Sequence, residues 1–296
     1  MDANRRSEIR KQYKKNSQVT MILKRFCKNK LSIIGFTIIA VLVIMIATAP
    51  LYCDYSLVIK QSLKERFLSP GTAGHLFGTD QYGRDLFARI VYGGRISLFC
   101  GLVTIGISFV IGMILGCCAG YFGGTVDTVI MRICDCLMAI PGLILAMAIV
   151  AALGQGVVNM LIALSISQIP RDARLVRSIV MTMRGQEYIE AARTYGQKTP
   201  RVMLTHIVPN IIGPVMVNAM MGLGGTILRI ASLGFLGIGI SSPTPEWGTI
   251  ISENQVQIQY HPFLGIIPGV FIMLAVLSFS FIGDGLRDAL DPKTKN

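Results

Sequence analysis

The sequence has few charged residues and lacks the short motifs of common catalytic and nucleotide-binding sites. Only 15% of its 296 residues are charged and 52% are hydrophobic, whereas ordinary soluble domains carry about 25% charge. No glycine is followed by a lysine, so the GxxxxGKS/T loop that cradles nucleotide phosphates is absent. With three histidines and no HExxH, we expect no histidine-built metal site. These absences predict a membrane protein that is not an enzyme and itself binds no metal or cofactor.

Two further absences narrow the class of protein. None of the seven cysteines forms a CxxC pair, and most lie in apolar runs, where cysteine is a small packing residue. The basic stretch before the first apolar run is long, and that run exceeds the length of a signal-peptide core. We therefore expect the first run to remain as a membrane anchor, and we expect no redox chemistry.

Positive charge is distributed unevenly, and its distribution predicts a topology. The net charge is +12, with ten Lys or Arg in residues 1–30 and seven in residues 171–206, whereas residues 241–262 contain none. Cytosolic segments of membrane proteins are enriched in Lys and Arg. We therefore expect both termini in the cytosol and assign the positive charge to topology and membrane lipid, with no nucleic acid as a partner.

The apolar runs predict an all-α integral membrane protein with six transmembrane helices, each needing about 20 residues to cross the bilayer. Its expected parts are a basic cytosolic tail (1–30), a first span with an extracytoplasmic loop (31–94), a core of five spans (95–284) and a cytosolic C-terminal tail (285–296). The predicted spans are Leu31 to Cys53, Ile96 to Tyr121, Val129 to Leu153, a span beginning at Val157 and reaching Pro170, one within Arg201 to Ile240, and Phe263 to Ile282.

A short amphipathic helix, Glu187 to Tyr195, is predicted inside the cytosolic loop 185–209. Gly185 is expected to end the preceding helix, and Gly196 to end this one in a left-handed cap. Thr199 followed by proline predicts an N-cap for the next helix. A helical wheel gives two faces, with Tyr188, Ala191, Ala192 and Tyr195 on one and Glu187, Glu190, Arg193 and Thr194 on the other.

Two interpretations of this short helix remain open from its pattern. It is either an amphipathic turn resting on lipid headgroups or a knob that enters a groove on a partner protein. In the second case Glu190 and Arg193 would make charge-assisted contacts with the groove.

Charges and glycines inside the spans need partners. Arg132 and Asp135 lie three residues apart, which favours an internal ion pair over a gating role. Arg229 is isolated, so that it either faces a pore or is a satisfied packing charge. A stripe of glycines four residues apart predicts close helix packing within the chain. The stripe consists of Gly112, Gly116 and Gly120.

The outer loop and a second external segment carry the remaining candidate residues. Asp80, Arg84, Asp85 and Arg89 either bind a substrate or receptor or, as we favour, pair with each other and staple the loop. Trp247 is expected to be an interfacial anchor by default, and Glu246 to meet a cationic group of a ligand or receptor. Together with Asp80, Arg84 and Asp85, these two residues are the candidates to face the receptor. An amphipathic segment is expected on the membrane surface, separated from the second span by Gly93-Gly94. Its apolar residues are Leu86, Phe87, Ile90 and Val91.

Several of these motifs resemble those of permease subunits of ATP-binding-cassette (ABC) importers. Glu190-Ala191-Ala192, with Gly196 and Pro209 at the matching intervals, is similar to the EAA motif of that family. GTDQYGRD, from Gly78 to Asp85, together with MRICDCLMAIPG and PTPEWG, is similar to the dipeptide, oligopeptide and nickel branch, specifically its second, C-type permease.

The resemblance implies a type I ABC-importer permease fold in the plasma membrane of a bacterium. It implies a heterodimer with a related second permease, two cytosolic ATPase subunits that hold ATP and Mg, and an extracytoplasmic binding protein. The cargo would be di- or oligopeptides, alternatively nickel or a metal chelate. An ion-gradient-driven secondary transporter and a membrane scaffold are the alternatives of other classes. The implied ATPase-coupling residues are Glu187, Tyr188, Glu190, Ala191, Ala192, Arg193, Gly196 and Pro209.

Overall fold

The computed structural model describes residues 24–72 and 74–290, and within them the chain is helical apart from turns and loops. Most of the predicted basic tail and the last six residues of the predicted C-terminal tail lie outside this part of the chain. The α-helices are α1 Lys30–Ala47, α2 Ala49–Tyr52, α3 Ser56–Ile59, α4 Leu86–Phe122, α5 Gly124–Met138, α6 Gly142–Leu153, α7 Val157–Arg184, α8 Glu187–Thr194, α9 Thr199–Val202, α10 Val208–Phe235, α11 Trp247–Glu253 and α12 Phe263–Leu290, with a 3-10 turn at Leu63–Glu65 and a π-helical turn at Met203–Ile207.

Four helical runs in the described chain are long and apolar enough to cross a membrane, and a fifth forms if α5 and α6 count as one broken span. The four are α1, α4, Thr199–Phe235 and α12. The remaining predicted span, the fourth in chain order, corresponds to α7, which runs through Pro170 to Arg184 and becomes too polar in its second half to meet the same criterion. The count of six spans and the cytosolic termini stay predictions.

The second predicted span begins earlier than expected, because α4 runs unbroken from Leu86 through Gly93-Gly94. The expected amphipathic segment on the membrane surface is therefore wrong, and Leu86, Ile90 and Val91 are fully buried. A Cβ at Gly94 would lie 2.5 Å from Ile46 Cδ1 and 2.9 Å from the Trp247 ring. These glycines serve close packing, and the boundary drawn at residue 94/95 falls inside one helix.

The third predicted span is not straight. Helix α5 ends at Met138, α6 begins at Gly142, and their axes meet at 87°. Pro141 lies in the break, and proline disfavours helical conformation in the residue before it. At the other end of the chain, residues 285–290, expected in a tail, continue α12 instead.

The glycine stripe packs α4 directly onto α7, as expected. A Cβ at Gly116 would lie 2.5 Å from the Ala173 carbonyl oxygen and 2.6 Å from Val176 Cβ. Gly112 and Gly120 meet Asp172 and Val180 of the same helix at similarly short range. The glycines of α4 thus let the polar second half of α7 pack closely against α4. The loop 185–209 begins where α7 ends.

Candidate functional site

The cytosolic helix predicted between two glycines is present as α8, and its end is defined by backbone geometry. Helix α7 ends at Arg184 with Gly185 as its C-cap, as predicted. At the other end, Gly196 adopts φ +74°, and its N–H donates to the Arg193 carbonyl at 2.9 Å, while Gln197 N–H donates to the Ala192 carbonyl at 3.2 Å. This pair of bonds is a Schellman motif. The predicted left-handed cap is confirmed.

The inward face of α8 differs from the helical-wheel assignment. Ile189 is fully buried and Ala192 nearly so, and both join an apolar cluster with Tyr121, Val176 and Val202. Ala192 therefore packs under the helix, and the wheel was wrong to place it with the tyrosines. Ile189 was missed, although it is the one large aliphatic side chain in the helix and marks the buried face.

The outward face of α8 is exposed and partly aromatic. Tyr195 keeps 88% and Tyr188 44% of its surface accessible. Ala191 lies between them in sequence, and its small side chain is exposed together with Glu187 and Glu190. A protruding surface with tyrosines around a small residue is suited to enter a groove on a partner protein.

Arg193 is engaged within the chain and does not point freely outward. Its Nε donates a hydrogen bond to Tyr121 Oη at 3.0 Å, and its guanidinium lies 4.5 Å from the centre of the same ring. Tyr121 stands at the C-terminal end of α4. Arg193 thus fastens α8 to α4 by a hydrogen bond and a cation–π contact.

The segment after α8 leads into the next long helix without a break. Lys198 is the N-cap of α9, one residue before the predicted Thr199, and no side chain completes the cap. The π-helical turn Met203–Ile207 widens the helix immediately before α10. Pro209 follows directly after this turn, in the first turn of α10. A continuous helical run from Thr199 to Phe235 therefore leads from the short loop after α8 into the apolar spanning helix.

The charges of α5 pair across helices and not along the helix. Asp135 Oδ1 accepts a hydrogen bond from Arg174 Nη2 of α7 at 2.6 Å, and Asp127 forms a second, two-pronged pair with Arg177 of α7. The expected Arg132–Asp135 pair is therefore wrong: Arg132 is exposed and forms no ion pair with another residue of the described chain. Two carboxylates thus tie α5 to the polar half of α7.

Arg229 has the partner that its sequence position did not reveal. Its Nη2 donates to Gln168 Oε1 of α7 at 2.8 Å and to Thr226 Oγ1 at 3.1 Å. Gln168 and Thr226 are buried, whereas Arg229 is only partly buried. Gln168 in the apolar half of α7 was a usable signal, because a buried amide needs a partner.

The charges of the outer loop form a buried cluster that includes a residue missed in the sequence. Arg84 Nε binds Asp80 Oδ2 at 2.7 Å. Glu253 Oε2, at the end of α11, accepts from Arg84 Nη2 at 2.5 Å and from Arg89 Nη2 at 2.7 Å. Both arginines and Asp80 are buried. The favoured hypothesis, that these charges staple the loop, agrees with this geometry, and Glu253 is the acceptor that joins the loop to α11.

The other expected receptor-facing residues are also interior. Asp85 caps α4 by accepting from Ala88 N–H at 2.6 Å and contacts His75 at 2.6 Å. Trp247 is fully buried, so an interfacial anchor was the wrong role for it. Its indole N–H donates to the Ile90 carbonyl at 2.9 Å, since a buried indole needs an acceptor.

Glu246 is the N-cap of α11 and is also enclosed. It accepts from Ser97 Oγ and from Thr249 N–H, each at 2.9 Å. Burial raises the pKa of the Glu246 carboxyl above its usual range, against the hydrogen bonds that lower it. The expectation that Asp80, Arg84, Asp85, Glu246 and Trp247 face a receptor is therefore corrected: in this structure they hold the external segments against α4.

Two family models match this chain, one near its N-terminus and one over its larger C-terminal part. Residues 108–296 match the family described as the binding-protein-dependent transport system inner membrane component. Residues 17–70 match the N-terminal TM domain of oligopeptide transport permease C. Together these matches span the first transmembrane helix, the spans from within α4 onward, and the cytosolic loop.

Curated relatives are similar over most of their length. The dipeptide transport system permease protein DppC of Alkalihalophilus pseudofirmus is 45% identical over 92% of this chain and 89% of its own. The di/tripeptide transport system permease protein DppC of Pseudomonas aeruginosa is 39% identical over 92% and 91%. The glutathione transport system permease protein GsiD of Pectobacterium atrosepticum is 43% identical over 76% and 75%.

The fold is similar to that of a solved transporter. A chain of the MetNI methionine ABC transporter, in inward-facing conformations, superposes with a TM-score of 0.55 at 20% identity, covering 69% of this chain and 97% of that one. This likeness supports the predicted ABC-importer permease fold. The chain belongs to the inner-membrane permease components of binding-protein-dependent ABC transport systems.

Proposed function

We propose that this chain is one permease subunit of a peptide importer, and that α8 transmits ATP hydrolysis from a separate ATPase to the transmembrane helices. The observation that carries the proposal is the construction of α8. Its outward face is exposed and aromatic, while Ile189 anchors it in an apolar cluster with α4, α7 and the helical run leading into α10. A force applied to the exposed face would move these helices together, because packed interiors are not readily compressed.

The partners in this proposal are those of a complete importer. A related second permease forms a heterodimer with this chain, and two ATPase subunits hold ATP and Mg. A loaded extracytoplasmic binding protein docks on the outer segments and starts the cycle. This chain supplies no catalytic group; it changes between outward-open and inward-open arrangements as the ATPase pair closes and opens.

The cargo we propose is a di- or oligopeptide. The relatives named above are named for dipeptide, di/tripeptide and glutathione transport, and glutathione is itself a peptide. Uptake of labelled dipeptide and of nickel, compared in a strain that carries or lacks the complete transporter, tests this choice. Nickel uptake without dipeptide uptake would overturn it in favour of the metal-transporting branch.

Coupling is tested with two glycines that flank the same helix. Gly196 adopts φ +74°, so Gly196→Val strains the cap, by about 1–2 kcal/mol for a left-handed residue. Gly185 has φ −87° and a Cβ there would meet no atom within 4 Å, so Gly185→Ala is the matched control. Glu190→Lys reverses an exposed charge on the outward face.

We expect Gly196→Val and Glu190→Lys to lower peptide uptake per ATP hydrolysed in reconstituted vesicles, and Gly185→Ala to leave that ratio near its original value. Assembly with the ATPase is measured in parallel by co-purification. Unchanged uptake per ATP in both altered complexes would refute the lever assignment.

A further inference from the structure

Arg229 lies in the membrane with part of its surface exposed, and this position restricts what it can face. It stands six residues before the outer end of α10, within an apolar spanning helix. A guanidinium exposed to lipid at such a depth is costly, so charged residues in spans face a partner or a water-filled path. The exposed part of Arg229 therefore belongs to a surface that the lipid does not cover.

A set of buried polar groups holds this guanidinium in one orientation. Gln168 Oε1 and Thr226 Oγ1 both accept from Nη2. The Gln168 amide is oriented in turn, because its Nε2 lies 3.4 Å from Asp172 Oδ1. Gln168, Asp172 and Thr226 are all buried. Orienting a charged side chain by buried partners is how a binding group is preorganised.

The rest of the guanidinium is available to a ligand. Neither Nε nor Nη1 of Arg229 hydrogen-bonds to another residue of the described chain, and neither atom is fully buried. One turn before it on α10, a Cβ added at Gly225 would meet no atom within 4 Å, so the adjacent surface is open. The free side of the guanidinium therefore faces open space and has donors to offer.

We propose that Arg229 forms a subsite on the translocation path for the α-carboxylate of the peptide cargo. The inference rests on the proposed peptide-importer function. Guanidinium groups match carboxylates geometrically, and every linear peptide carries a C-terminal carboxylate whatever its sequence. A site that recognises this group alone can act on peptides of many sequences, and a single pair of charges binds weakly enough for release.

The chemical test compares Arg229→Gln with Arg229→Lys in the complete reconstituted transporter. Two labelled dipeptides are used, one with a free C-terminus and one with a C-terminal amide, and the affinity of the binding protein for each is measured separately. We expect Arg229→Gln to reduce uptake of the free-acid peptide by about ten- to hundredfold, the loss of one charged hydrogen-bonding group. Arg229→Lys should retain an intermediate rate, and uptake of the amide should not respond to either substitution.

Three results would separate the proposals. If the wild-type complex takes up neither peptide, the proposed cargo fails. If it takes up the free acid and Arg229→Gln does so equally well, only the carboxylate subsite fails. If Arg229→Gln lowers uptake of the acid and of the amide in the same proportion, or prevents co-purification with the second permease, Arg229 serves packing or subunit assembly and the subsite is refuted.

An independent measurement locates the side chain. In a background without reactive native cysteines, Arg229→Cys in the assembled complex is treated with a small, permanently charged thiol reagent. We expect modification, and protection by excess free-acid dipeptide in the presence of binding protein and ATP. In the contrary outcome, the Arg229→Cys complex assembles and hydrolyses ATP and yet does not react with the reagent. That result would place position 229 away from water and overturn the proposal.

Discussion

Replacing Glu253 by alanine should loosen the external segments, because this carboxylate is shared by two buried arginines. Glu253 Oε2 accepts from Arg84 at 2.5 Å and from Arg89 at 2.7 Å. Without it, Asp80 is the one carboxylate left in the cluster, and its distance to Arg89 Nη1 is 3.6 Å. Breaking a buried pair by removing one partner costs about 3–5 kcal/mol, since an uncompensated charge stays buried.

Thermal unfolding of the purified transporter measures this effect. With about 2–4 °C per kcal/mol for a chain of this size, Glu253→Ala should lower the Tm by on the order of 10 °C. Glu253→Gln keeps an acceptor and should fall between alanine and wild type. Cleavage by a protease in the segment after α11 should become faster in the same order, because Glu253 connects that helix to the outer loop.

The matched control is Glu65→Ala, which removes an exposed carboxylate from the same external region. Its Tm should stay within about 1–2 °C of wild type, as for ordinary surface substitutions. If Glu253→Ala and Glu65→Ala unfold at the same temperature and are cleaved at the same rate, the buried cluster does not hold the external segments together.

Three other substitutions test the packing and coupling contacts. Gly116→Ala places a Cβ 2.5 Å from a carbonyl oxygen of α7 and should lower the free energy of unfolding by about 1–3 kcal/mol. Gly106→Ala in the same helix meets no atom within 4 Å, so that Gly116→Ala should have the lower Tm of the two. Tyr121→Ala removes both contacts to Arg193 and should lower peptide uptake per ATP, whereas Tyr121→Phe keeps the ring and most coupling. Asp135→Asn breaks a half-exposed ion pair and should change the free energy of unfolding by under about 1 kcal/mol. A larger change would contradict the view that water screens the attraction between Asp135 and Arg174.

Features determined by local chemistry could be predicted from the sequence. Gly185 and Gly196 delimit α8 because helix ends depend on a few neighbouring residues, and the Schellman bonds at Gly196 follow from its freedom to adopt positive φ. The stripe at Gly112, Gly116 and Gly120 was also readable locally, because glycines four residues apart leave one face of a helix without side chains. A missing side chain is an advantage only where another helix approaches.

Features determined by distant residues could not be predicted in this way. Asp135 pairs with Arg174, 39 residues away, while its near neighbour Arg132 stays unpaired among the described residues. Trp247 was expected at the lipid interface because tryptophan often lies there, yet its indole fills the space beside Gly94. Gly93-Gly94 looked like a helix break, and the packing of Trp247 against α4 overrides that local preference.

Glu253 and Ile189 were missed for different reasons. Glu253 stands in a polar external segment, where an isolated carboxylate usually faces water, and its two arginine partners lie more than 160 residues earlier. Ile189 was visible, but the helical wheel described two faces by their tyrosines and charges and left Ile189 out of both. Exposure of both tyrosines places the aromatic surface outward, where a partner can reach it.

The central claim, that α8 is the point of contact with the ATPase, is tested most directly by site-specific cross-linking in the assembled transporter. A photoreactive group is attached through Tyr195→Cys on the exposed face of α8, and through Ile44→Cys on the exposed face of α1 as the control. We predict that position 195 forms an adduct with the ATPase subunit and that position 44 forms none. Adducts of position 195 with lipid alone, in a complex that retains its ATPase, would contradict the account.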